Sequence, residues 1–399
     1  MSDRRTEIDT ATVDSPTVAE SRVCAHGRLL RVCIVMGTHW AVRIGGSQYQ
    51  AKCLIDALAV RGGFRIYYLA RRVPSAGQSN HEVVRFGARG RLRKIPMFAD
   101  LPSLYWKLTR LRPDIVYQRG LKAYTGICAY YSRGGRARFV FHIAHDDDVL
   151  PARERGRSPR AILRRLERRI AESGLRRADV IVAQTQDQAR LLETNYGIRA
   201  TAVVPNFHPI PARPAPAAPR AVVRVIWVAN FKPAKRPELF VDLAAALAHR
   251  TDVQFTMIGR SGDERRYGPL VERISSLSNL TYLGELPVDR VEEEIARSDI
   301  LVSTSSAEGF PNTFIQAWLR CVPVVSCFID PDECLTEGGG GLLGGDFRGL
   351  CAAVESLLDD REQLDRFKRS AYALGLRRHG PEQSDRLIRL LVEREAVDT

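Results

Sequence analysis

No run of eighteen uninterrupted apolar residues occurs in the 399-residue chain, which removes a membrane-spanning helix from consideration. The start, Met1-Ser-Asp-Arg-Arg-Thr-Glu7, lacks the apolar stretch of a secretory leader, so a cytoplasmic protein is expected. No Cys-x-x-Cys pair is present either: the eight cysteines, at 24, 33, 53, 128, 321, 327, 334 and 351, sit mostly in apolar runs such as Val32-Cys33-Ile34-Val35. That placement predicts buried, reduced thiols acting as small hydrophobes, and leaves no disulfide framework, zinc site or redox motif. Aromatic residues do not interleave with the basic ones and no recognition module is visible, so nucleic acid is not an expected partner.

What is present reads as two α/β units. The length exceeds what one hydrophobic core normally fills. Residues 1–28 are polar with few large apolar side chains and are expected to form a disordered tail. From Leu29 to Met36 the chain turns nearly continuously apolar and β-branched, as a strand covered on both faces requires. A glycine-bearing loop, Gly37 to Gly46, follows, and Ala51, Leu54, Ile55 and Leu58 then recur at helical spacing. Strands at 64–69, 115–117, 139–143 and 180–183 alternate with helical stretches such as Leu101–Leu111 and Leu121–Tyr131, which predicts a doubly wound parallel sheet over residues 29–208. Residues 209–221 hold five prolines in thirteen positions, the composition of a stiff linker. Strand, loop and helix then restart: Val222–Val228, a loop from Ala229 to Pro237, and a helix over Glu238–His249 carrying Leu239, Phe240, Leu243 and Leu247. Further strands at 253–259, 280–284, 300–304 and 323–327 complete a second Rossmann-like unit over 222–380, with a last helix around Pro381–Glu393.

Half of the net charge of +14 lies in residues 151–177, where ten arginines face three glutamates. Ile162, Leu166, Ile170 and Leu175 recur there near the helical period, which describes a basic amphipathic helix with a thin apolar stripe. A solvated face and an anionic membrane surface are the competing readings.

In doubly wound sheets ligands gather beyond the carboxyl ends of the strands, which directs attention to four loops. Gly45 and Gly46 precede a helix, where paired glycines let backbone amides approach a diphosphate, although a ligand-free tight turn also favours glycine. His145-Asp146-Asp147-Asp148 ends a strand; its Asp-x-Asp spacing suits Mg²⁺, while helix capping explains the same residues. His145 lies at the strand's end and is the pocket candidate; His142, inside the strand, reads as a core histidine. Asn230 to Pro237 brings Lys232, Lys235 and Arg236 to the end of the second unit's first strand, where cations can neutralise a departing diphosphate. The fourth loop runs from Ser303 through Glu308, Gly309, Phe310, Pro311, Asn312 and Thr313 to Gln316, a glycine turn and a proline ahead of a helix whose first amides point at an anion.

The last segment, Ala-Glu-Gly-Phe-Pro-Asn-Thr-Phe-Ile-Gln-Ala-Trp-Leu-Arg-Cys-Val-Pro-Val-Val (307–325), together with the order of the four loops, resembles the retaining glycosyltransferases of family 4, and the likeness covers roughly residues 30–390. This resemblance implies a GT-B fold, two Rossmann-like domains facing a central cleft, with a nucleotide diphosphate sugar as co-substrate and no metal required. It places Glu308 on hydroxyls of the transferred sugar, Lys235 on the diphosphate, His145 in the active site and the Gly45–Gly46 pair beside the donor. Two departures stand out: Asn230 occupies the position of a diphosphate-binding arginine, and Gln316 that of the ribose-binding glutamate of a Glu-x7-Glu motif. Lys232, Arg236 and Arg260 are the candidate compensating cations. The acceptor implied is a glycan or lipid-linked glycan precursor held by the first domain. A sugar-nucleotide 2-epimerase of the same architecture and a non-catalytic binding protein are the alternative readings.

Overall fold

The computed structural model describes residues 28–75, 80–87, 100–151, 158–211 and 221–393. The expected tail through Gly27 with Cys24, the arginines at 153, 155 and 157, most of the proline segment and the last six residues lie outside the described residues.

The first lobe comprises β1 (Leu30–Thr38), α1 (Gly46–Arg61), β2 (Phe64–Arg72), β3 (Glu82–Arg85), α2 (Leu101–Leu111), β4 (Ile115–Arg119), α3 (Ala123–Ser132), β5 (Arg138–His142), α4 (Pro159–Leu175), β6 (Val180–Ala183), α5 (Gln186–Tyr196) and β7 (Ala202–Val203). Its seven strands are ordered β3-β2-β1-β4-β5-β6-β7, each pair parallel. The near-continuous apolar run of β1 follows from burial on both faces: Cys33 and Val35 enter the core under α2 and α3, whereas Val32, Ile34 and Met36 enter the one under α1.

The second lobe repeats the plan with β8 (Val223–Val228), α6 (Pro237–Ala246), β9 (Val253–Ile258), α7 (Glu264–Ser275), β10 (Leu280–Tyr282), α8 (Val288–Ala296), β11 (Ile300–Ser303), α9 (Asn312–Trp318), β12 (Val324–Ser326), β13 (Gly341–Leu343), α10 (Phe347–Asp359) and α11 (Arg361–His379). Strand order is β10-β9-β8-β11-β12-β13, again parallel. Here Val225 and Trp227 enter one core and Ile226 the other, against Phe314, Trp318 and Leu374.

The final helix, α12 (Pro381–Val392), returns to the first lobe: Leu387, Ile388 and Leu391 are buried in the core that holds Ile34, Leu54 and Tyr117. Arg138 donates to Leu390 O at 3.1 Å and fixes that docking. Gly380 and Pro381 end α11 and restart the helix in the new direction.

In each sheet the strand order reverses between neighbours, at β1/β4 and at β8/β11. These are the switch points where loops diverge to opposite faces and leave a crevice.

The helix expected across residues 153–177 is α4, but its apolar stripe divides. Leu175 is buried and Ile170 half-buried, whereas Ile162 and Leu166 are 55% and 48% exposed. Only the C-terminal half of α4 packs, crossing α3 where Gly126 meets Ile170 and Gly174 meets Thr125 so closely that a Cβ on either glycine would lie 2.5–2.6 Å from its neighbour.

Candidate active site

The two crevices face each other across a cleft of about 560 Å³. Loops after β1, β4, β5, β8 and β11 and the start of α9 line it, and with them Gly45, Gly46, His145, Asn230, Lys235, Glu308, Gly309, Phe310, Pro311, Asn312, Thr313 and Gln316. Four loops separated by up to 270 residues of sequence thus converge on one space.

Lys235 and Glu308 form an ion pair within it. Two hydrogen bonds hold the loops that carry them: Trp227 Nε1 donates to Thr304 Oγ1 (2.9 Å), and that hydroxyl donates to Lys235 O (2.7 Å). Ser306 N adds a bond to Ala234 O at 2.8 Å, and Ser305 Oγ donates to Glu308 Oε1 at 3.2 Å. A buried tryptophan therefore sets the position of a lysine eight residues later. Burial pulls the Lys235 ammonium down to about 8, and the neighbouring Lys232 acts in the same direction. The Glu308 carboxylate opposes both by favouring the charged form. A desolvated cation with one carboxylate partner is suited to a second anion, such as a phosphate.

From the opposite lobe, His145 accepts Asp147 N–H at Nδ1 (3.2 Å), which leaves the ring proton on Nε2 when the imidazole is neutral. Gly309 abuts this loop directly: a Cβ there would stand 3.2 Å from Ala144 O and 3.2 Å from the His145 Cα. Asp148 accepts from Leu121 N, Ala144 N and His145 N at 2.8–3.1 Å, and Asp146 accepts from Gln188 Nε2 at 3.0 Å. The acidic triplet thus caps loops that shape the cleft. His142 is buried, as its place inside β5 predicts, with Tyr117 Oη and Arg119 Nη1 at its Nδ1.

Two of the candidate compensating cations stand elsewhere. Arg236 adopts a left-handed backbone (φ 46°) that aims its side chain at Glu238 (3.3 Å) and over the Phe328 ring (5.1 Å). The Arg260 side chain lies out by Glu285 (3.8 Å), and its backbone N–H donates to Asn230 Oδ1 (3.1 Å). Neither lines the cleft; Lys232 does. Asn230, engaged through Oδ1 with that loop, can offer the cleft amide N–H donors but no positive charge.

Residues that sequence reasoning passed over also line it: Tyr49, Arg119, Gln184, Asn206 and Glu285. Arg119 is 5% exposed and has no carboxylate within ion-pair distance among the described residues. Its Nη2 donates to Asn206 Oδ1 (2.5 Å), while Asn206 Nδ2 donates to Phe310 O (3.3 Å) in the other lobe. Arg119 stands within an ordinary strand run, where nothing in the local pattern marks it.

Five buried histidines knit these loops. Burial lowers the pKa of His39 to about 4, of His208 to about 3 and of His379 to about 4, and lowers His81 and His142 as well. An unfolded chain binds these protons near pH 6.5 and the native state does not, so the stabilisation is whole above pH 6.5 and lost as pH falls toward 4. Each such histidine contributes up to about 1.4 kcal/mol per pH unit over its window. Urea unfolding followed from pH 7.5 to 4.5 is expected to show a steepening loss of stability below pH 6.5; a flat profile would contradict neutral burial of these rings.

Two parallel doubly wound lobes, with switch points opposed across a cleft lined by Lys235 and Glu308, define a GT-B architecture. A family model described as Glycosyltransferase Family 4 matches residues 44–209, and one described as Glycosyl transferases group 1 matches residues 223–360. The chain belongs to the family 4-type glycosyltransferases. A D-inositol 3-phosphate glycosyltransferase of Geodermatophilus obscurus is 29% identical over 226 residues, 51% of this chain and 48% of the relative; the alignment spans about half of that protein. Among solved structures, sucrose-phosphate synthase from Thermosynechococcus elongatus superposes with a TM-score of 0.69 at 17% identity, over 90% of this chain and 98% of that one. Anabaena HepE in complex with UDP and glucose gives 0.68 at 16% identity, over 91% and 99%. At such identities the two structures establish the shared fold.

Proposed function

We propose that this chain transfers a glycosyl group from a nucleoside diphosphate sugar to an acceptor with retention of anomeric configuration. The Lys235–Glu308 pair carries this reading. Glu308, tied to Lys235 and Ser305, suits hydrogen bonding to sugar hydroxyls rather than attack on the anomeric carbon. The bond from the anomeric carbon to the diphosphate oxygen breaks and one to the acceptor oxygen forms on the same face. The acceptor's proton passes to the departing phosphate oxygen, so no protein nucleophile takes part. Lys235 stabilises the charge gathering on the diphosphate, and His145 donates from Nε2 to the sugar. The test is a panel of UDP-, GDP- and ADP-sugars, screened for a rise in melting temperature. The best donor is then followed by proton NMR, with water as surrogate acceptor. Early release of the donor's own anomer supports retention and the opposite anomer overturns it. An epimerised donor would indicate the epimerase reading, and binding without turnover the non-catalytic one.

We further propose that the acceptor is lipid-linked and that the enzyme works from the cytoplasm on an anionic membrane surface. No helix among the described residues is long and apolar enough to cross a bilayer. Ile162 and Leu166 are exposed on α4, and a second exposed patch lies on α2 and α3. Tyr130 is 54% exposed and its ring lies 5.7 Å from Tyr105 on α2, next to Trp106, which is 53% exposed. Lys107 and Arg110 stand over Trp106 at 4.9 and 5.5 Å, and Arg133 over Tyr130 at 5.4 Å. Exposed aromatic and aliphatic side chains ringed by cations match the headgroup region of an anionic bilayer. Arg168 is turned inward instead, donating to Asp147 O (3.1 Å) and Leu150 O (2.5 Å), so it ties α4 to the His145 loop. Reversing Arg164, Arg165 and Arg169 to glutamate is expected to lower binding to phosphatidylglycerol vesicles by about 100-fold or more, at about 1 kcal/mol for each charge near the surface. Unchanged flotation with those vesicles would remove the proposal.

A further inference from the structure

Gln316 occupies the ribose position without the charge of a glutamate, and the charge reappears one helix away. Glu292, on α8, holds its carboxylate against three donors. Oε1 accepts from Gln316 Nε2 at 3.2 Å and from Tyr49 Oη at 3.2 Å, while Oε2 accepts from Arg320 at 2.6 Å. A carboxylate only accepts, so the Gln316 atom facing it must be the amide nitrogen. That removes the two-fold ambiguity of the side chain. Gln316 Oε1 is turned the other way and has no hydrogen-bond partner among the described residues, on a side chain that lines the cleft. Tyr49 belongs to α1, three residues after the glycine pair, so the same carboxylate also spans the two lobes.

We propose that Glu292 is a positioning residue for the donor nucleotide: by fixing the amide of Gln316 it presents Oε1 as a dedicated acceptor for a ribose hydroxyl and ties that subsite to the first lobe through Tyr49. The inference rests on the donor-site reading above. It accounts for a glutamine in a place where a glutamate would lie some 3 Å from a second carboxylate, an arrangement in which both cannot stay ionised without cost. Arg320, bound both to Glu292 and to Gln316 O (3.0 Å), holds the pair in register.

The test measures binding of UDP, GDP and ADP, and of their 2′- and 3′-deoxy forms, by calorimetry on the full chain. Wild type is expected to prefer one ribonucleotide over its deoxy form by about tenfold, the worth of one well-placed hydrogen bond. In E292A that ratio falls toward one, while the deoxy form binds as before; a merely structural loss would weaken both alike. Gln316→Glu weakens binding about tenfold or more through carboxylate repulsion. The exchange E292Q/Q316E recovers most of it, because an amide at position 292 then donates to a carboxylate at position 316, the mirror image of the native pair. Where E292A proves unstable, E292Q and the exchange variant, which keep the volume, decide the matter. An unchanged ribose-to-deoxy ratio in E292A, or Q316E binding as tightly as wild type, overturns the inference alone. Absence of any nucleotide binding by wild type overturns the donor-site reading together with it.

Discussion

Replacing Lys235 with alanine is expected to lower donor turnover about 10²–10³-fold, the usual consequence of deleting one preorganised charge that meets a developing oxyanion in a desolvated site. Lys235 is about one-quarter exposed, borders the cleft and pairs with Glu308, so its loss leaves a carboxylate without its cation and a diphosphate without its counter-charge. The relieved desolvation cost of the ammonium is offset by the Glu308 carboxylate left unpaired, so some stability is expected to be lost as well. Lys235→Arg keeps the charge and is expected to retain a measurable fraction of activity. The same group predicts a pH dependence. Its charged form binds phosphate and is half populated at about pH 8, so nucleotide diphosphate affinity of wild type weakens as pH rises through 8. Lys235→Arg, always protonated, should flatten that decline. A K235A variant with wild-type turnover would remove the lysine from the mechanism.

Trp318→Ala is expected to cost about 3–5 kcal/mol of stability, the range for deleting a fully buried large aromatic side chain. Trp318 has no exposed surface, donates from Nε1 to Gly340 O at 2.8 Å and packs against Phe310, Phe314 and His379 with ring centroids 5.7–6.1 Å apart. Alanine leaves both a cavity and an unpaired carbonyl. Phe310 follows Glu308 by two residues and meets the tryptophan edge-to-face, so turnover should fall even in the surviving folded fraction. Chemical denaturation together with turnover per folded molecule checks both effects; a loss under about 1 kcal/mol would contradict the packing described.

The strands that order the molecule were legible because parallel strands buried on both faces must be apolar at every position, as in β1 and β8. β7 and β13, two and three residues long, and the edge strand β3 are too short or too mixed for any period to show. Within the site, residues of the 303–325 motif were legible because glycine, proline and glutamate at fixed spacing declare a turn before a helix. Arg236 and Arg260 were not: a cation beside a site in sequence points wherever its backbone directs it, and the left-handed conformation of Arg236 turns it toward Glu238. Arg119 and Glu292 escaped notice for the converse reason, since each is brought to the site by the tertiary fold, beside Asn206 and Gln316, 87 and 24 residues distant. The exposed half of α4 was hidden because periodicity marks an apolar stripe without saying what covers it.

The central claim is that a diphosphate lies between the lobes, against Lys235 and the start of α9. Crystals grown with whichever of UDP, GDP or ADP raises the melting temperature most test it directly. The account predicts a phosphate oxygen within hydrogen-bonding reach of Lys235 Nζ and the ribose at Gln316. A nucleotide seated elsewhere, or a phosphate remote from Lys235, would contradict it.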